Sequence, residues 1–62
     1  MNHNPHNLEE GEHVILDKDM FNSSEVVIFK FTPLEMFATV YSAMETGDMW
    51  EVMTSRLSPK ES

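Results

Sequence analysis

Sixty-two residues suffice for one domain at most, and a chain this short hides only about 60% of the surface that its unfolded form exposes. There is no cysteine, so neither a disulfide nor a thiolate metal site can supplement the core. Eleven acids against four bases leave a net charge of −7, which excludes the phosphate-neutralising surface that nucleic-acid or anionic-membrane binding needs.

Residues 1–10, MNHNPHNLEE, are too polar to offset the cost of ordering them, and they read as a flexible N-terminal tail. They carry no basic region followed by an apolar core, so they do not read as a secretory signal. Asn22-Ser23-Ser24 formally matches a glycosylation acceptor, a chance match without such a signal. The longest apolar run, Val26–Phe29, is far short of the roughly 20 residues of a membrane-spanning helix. The expectation is a cytoplasmic protein with its ordered domain over residues 11–58 and a second tail over 59–62, where Pro59 stops the preceding element.

His13–Leu16 and Glu25–Phe31 are rich in strand formers and are separated by the turn-dense DKDMFNSS. They predict an antiparallel hairpin with a loop of about eight residues. By simple alternation Val27, Phe29 and Phe31 share one face and Val26 and Ile28 the other, so the strand expects cover on both sides.

Thr32-Pro33-Leu34-Glu35 has the form of a capping box with proline at the first helical position. It predicts a helix to about Glu45, ended by Gly47 in the left-handed conformation. Asp48-Met49-Trp50-Glu51 repeats the signal and predicts a second helix to Leu57. Leu34, Phe37, Ala38, Val40, Tyr41 and Met44 then form an apolar stripe at helical spacing, as do Met49, Trp50, Met53 and Leu57. The expected fold is α+β: a short β-hairpin followed by two helices, in a small domain that pairs with a second copy to cover what the monomer leaves bare.

Specific chemistries fail on their residues. A helix-turn-helix needs bases on its second helix, and this segment offers Glu51 and Arg56. Asp17-Lys18-Asp19 begins like a calcium loop, but Phe21, Asn22 and Ile28 occupy positions that need an oxygen ligand, a glycine and a glutamate. His3, His6 and His13 lie in or beside a tail and read as solvated. Two glycines cannot build a phosphate-cradling loop, and no serine has a catalytic motif around it. No cofactor, metal or enzymatic activity is therefore expected.

What remains is binding. The sequence reading is an inhibitor or modulator that presents carboxylates to a basic host or cellular protein, as a charge mimic of nucleic acid, in the manner of a small viral protein. Glu35, Glu45, Asp48 and Glu51 are the principal candidates, with Glu25 and Asp19 secondary. The alternative is apolar docking or structural homodimer assembly through Val26, Ile28, Met36, Met49, Trp50 and Met53, since methionine adapts to irregular surfaces and tryptophan anchors interfaces.

Overall fold

The computed structural model describes residues 3–44 and 47–60. It contains five strands, β1 (His13–Leu16), β2 (Ser24–Phe31), β3 (Phe37–Ser42), β4 (Met49–Met53) and β5 (Leu57–Pro59), with single 3-10 turns at Pro33–Glu35 and Thr54–Arg56. All neighbours are antiparallel and the spatial order is β4-β3-β2-β1-β5. The two outermost strands are thus consecutive in the chain and joined by three residues. In a flat sheet they would stand about 19 Å apart, four inter-strand steps, whereas the four Cα steps from Met53 to Leu57 reach about 14 Å at most. The sheet must curl until its edges approach, and its concave face becomes the core. Val14, Leu16, Val26, Ile28, Ala38, Val40, Val52 and Leu57 line that face, one or two from each strand. The result is an all-β, five-stranded antiparallel sheet, an architecture that does not by itself specify a function.

The predicted β1–β2 hairpin forms, with His13 opposite Val27 and Leu16 opposite Ser24. The α+β fold does not: there is no α-helix among the described residues, and strands β3 and β4 stand where the two helices were expected. The reason lies in Thr32. Its hydroxyl does not cap a helix. It accepts a hydrogen bond from Phe37 N (3.0 Å) and donates to Phe37 O (3.2 Å), and its own amide donates to the same carbonyl (2.9 Å). Thr32 therefore fastens the base of a β2–β3 hairpin. The chain reverses with Leu34 at φ 66° and Glu35 at φ 57°, left-handed where a helix needs right-handed. Beyond the turn, FATVYS alternates with a period of two: Ala38 and Val40 are buried, and Phe37, Thr39 and Tyr41 face out. Gly47 takes φ 159°, an extended value unlike the left-handed residue of a helix end.

A bulge in β2 corrects the predicted alternation. Ile28 pairs with Val40, but Lys30 pairs with Thr39, so Phe29 is the extra residue. The insertion moves Phe31 onto the same face as Val26 and Ile28, where it packs against the core. Phe29 is left half exposed.

The N-terminal segment, read from the sequence as a flexible tail, contributes to this structure. Leu8 is buried in the core. Asn4 is buried too, accepting from Leu8 N at Oδ1 (3.0 Å) and donating from Nδ2 to Leu8 O (2.9 Å) and Glu35 Oε2 (3.2 Å). Gly11 N donates to Ile28 O (2.7 Å) and Ile28 N to Glu12 O (3.1 Å), extending the β1–β2 ladder toward this arm.

Two local costs are measurable. Leu34 is largely exposed yet left-handed, a conformation costing an L-residue about 1–2 kcal/mol. Leu34→Gly is expected to raise unfolding stability by about 1 kcal/mol, after the extra unfolded-state freedom of glycine is deducted; a lower thermal midpoint would contradict this. The Thr54 hydroxyl is buried without a hydrogen-bond partner among the described residues. Thr54→Val is expected to stabilise by about 1 kcal/mol, read from the urea midpoint at unchanged slope.

Candidate functional site

The outer face of the sheet is set by register. His13, Val27, Tyr41 and Met49 stand in one row across β1 to β4; Lys30, Thr39 and Glu51 form a second; Phe37 and Met53 form a third. Aromatic and methionine side chains are thus cross-strand neighbours on β3 and β4, with Glu51 between Met49 and Met53. Met49 and Met53 are 48% and 49% exposed. Trp50 pairs with Val40 and belongs to the inner face, but at the edge of the sheet the concave side is incompletely covered, and the indole remains 40% exposed.

The charges divide into two groups. One is internally paired. Arg56 grips Asp17 with Nε on Oδ1 (2.9 Å) and Nη2 on Oδ2, tying the β1–β2 loop to the β4–β5 turn. Glu25 Oε2 lies 2.8 Å from His13 Nδ1 and 3.2 Å from Lys60 Nζ. The hydrogen bonds from Arg56 hold Asp17 below the usual carboxylate range. Glu25 is held low chiefly by the bond to His13, then by Lys60. The other group comprises Glu9, Glu10, Asp19, Asp48 and Glu51, whose side chains have no hydrogen-bonded or ionic partner among the described residues.

The sequence-predicted residues separate accordingly. Glu51 is exposed on β4, and Asp48 is exposed just before the strand begins. Glu35 sits in the β2–β3 turn, bonded to Asn4. Glu25 is engaged with His13 and Lys60, and Asp19 stands on the β1–β2 loop. Glu45 lies outside the described residues. Met36, Met49, Trp50 and Met53 are exposed, whereas Val26 and Ile28 are core residues that no partner reaches in the folded chain. Phe37 and Tyr41, expected inside a helical stripe, instead join the outer face. Period-two alternation in FATVYS was the signal that could have placed them. Among the described residues no group of three His, Asp or Glu is placed to hold a metal ion, and no helix is long and apolar enough to cross a membrane.

Asp17 and Glu25 make stability pH-dependent. Because their folded pKa values are depressed, their contribution is complete above the unfolded values, about pH 4, and is lost as pH falls through the folded values. The double variant Asp17→Asn, Glu25→Gln is expected to be less stable than wild type at pH 6 and to lose less of its stability on going to acid. Parallel urea titrations at the two pH values check this, and equal losses in both proteins would contradict it. No protein-family model, curated protein or solved structure matches the chain.

Proposed function

We propose that this chain is a small non-enzymatic binding module, an inhibitor or modulator that takes a basic protein partner on its β3–β4 surface. The observation that carries the reading is the placement of Asp48 and Glu51. Among the described residues they have no cationic partner; Glu51 lies on the edge strand with Met49, Trp50 and Met53, three side chains at least 40% exposed, and Asp48 directly precedes that strand. Uncompensated carboxylates raise the encounter rate with a basic partner and disfavour acidic ones. The apolar side chains beside them supply the contact area that long-range attraction alone does not.

Octalysine is a suitable minimal probe, with the single tryptophan, Trp50, as reporter. Its affinity is expected to fall about tenfold between about 50 and about 500 mM salt. The double variant Asp48→Ser, Glu51→Ser is expected to weaken binding more than Glu9→Ser, Glu10→Ser, although both remove the same charge. Equal weakening would mean that net charge, not this surface, attracts the probe. Salt-insensitive binding would instead favour apolar docking, for which the exposed Met36, Met49, Trp50 and Met53 are the supporting observation.

A further inference from the structure

The two edges of the sheet are not equivalent. At the β5 edge, Asp17 N donates to Arg56 O, and Ile15 opposes Ser58 in the same register. By ladder alternation Leu57 and Pro59 turn their backbone groups outward. Proline has no amide hydrogen, so this three-residue edge is blunted. At the other edge, Thr54 N donates to Met36 O. The β3–β4 register continues from that pair, so Val52 and Trp50 point their amides and carbonyls at β3. Met49, Glu51 and Met53 consequently direct theirs away from the sheet. Among the described residues no other group engages the amides and carbonyls of Met49 and Glu51 or the amide of Met53, while the Met53 carbonyl is taken up by the 3-10 turn at Thr54–Arg56 that Met53 caps. β4 is five residues long and free of proline and lysine.

We propose that β4 is a strand-addition site and that its occupant is an extended basic segment of a partner protein, running antiparallel with a lysine or arginine opposite Glu51. This deepens the binding reading above and rests on it. Register assigns the remaining positions. The residues opposite Met49 and Met53 share the outer face with those methionines and should be apolar. Those opposite Trp50 and Val52 face inward and should also be apolar, covering the exposed part of the indole. Asp48, just before β4, can meet a second basic residue beyond the end of that register. The recognised pattern is therefore one basic residue flanked on each side by two apolar ones, with further basic residues beyond.

Charge decides against a second copy as occupant. Antiparallel self-pairing with full overlap of β4 would set Glu51 opposite its own counterpart, with β-carbons about 5 Å apart, where like charges destabilise. It would also join two chains of net charge −7.

The test uses the capped peptide Lys-Val-Val-Lys-Val-Val-Lys, followed by Trp50 fluorescence. The expected result is saturable binding that weakens about tenfold or more when the central lysine carries an N-methyl group, which removes the donor for the Glu51 carbonyl. On the protein, Glu51→Gln removes the charge and keeps the edge. Glu51→Pro removes the charge and an outward amide that the fold does not use. Both variants should weaken binding, the proline more. If the proline variant fails to fold by circular dichroism, the methylated peptide still decides. Undiminished binding of the methylated peptide overturns strand addition while leaving the acidic-surface reading intact. Failure of both this peptide and octalysine overturns both. A dimer whose Glu51 amide is protected from hydrogen exchange without peptide overturns the proposal in favour of self-association.

Discussion

The three-residue passage from β4 to β5 is the constraint on which the rest depends. It joins the outermost strands of the sheet, and no flat arrangement satisfies it. Curling brings residues from all five strands to one concave face, and a chain with no disulfide must rely on that enclosure. The core it makes is built from Val, Leu, Ile and Ala; most of the large aromatics and methionines lie at its margin or outside. The Asp17–Arg56 pair reinforces the same junction, because it links the loop after β1 to the turn before β5.

The same geometry determines what is left for a partner. Curling covers one face thoroughly and leaves the convex face of β3 and β4 without a second layer. An all-antiparallel sheet commonly tolerates this by making its outer face polar. Here Lys30, Thr39 and Glu51 provide one polar row, while the rows on either side carry Tyr41, Met49, Phe37 and Met53. The acidic and apolar features that sequence reasoning offered as competing explanations lie side by side on one strand. They are most economically treated as one surface.

How much was legible in the sequence follows from which signals were local. His13–Leu16 and Glu25–Phe31 are dense in β-branched residues with turn residues between, and they pair in the expected sense. Phe37–Ser42 was ambiguous because its apolar residues suit a helical stripe as well as a strand, and Thr32-Pro33-Leu34-Glu35 tipped the balance toward helix. A threonine hydroxyl can satisfy a helix amide or close a hairpin, and only the position of Phe37 decides which. The displacement of Phe31 depends on an inserted residue that alternation cannot reveal. Leu8 gives no local signal because its neighbours are polar, although a buried asparagine side chain can organise such a segment around a single apolar anchor. Of the site, Asp48, Glu51, Met49, Trp50 and Met53 were named from composition and spacing. The open backbone edge they share could not be, since it exists only once β3 is recognised as a strand.

Strand order also bears on how the molecule is made. β5 is the last of the five strands in the chain but pairs with the first, with Leu57 set against Leu16. Until that segment has left the ribosome, β1 keeps a bare side and the interior stays open to solvent. The growing polypeptide can form its three consecutive hairpins as they emerge, yet sealing waits for the final stretch. A nascent or truncated form lacking Leu57–Pro59 would therefore carry two unguarded margins where the finished molecule retains one.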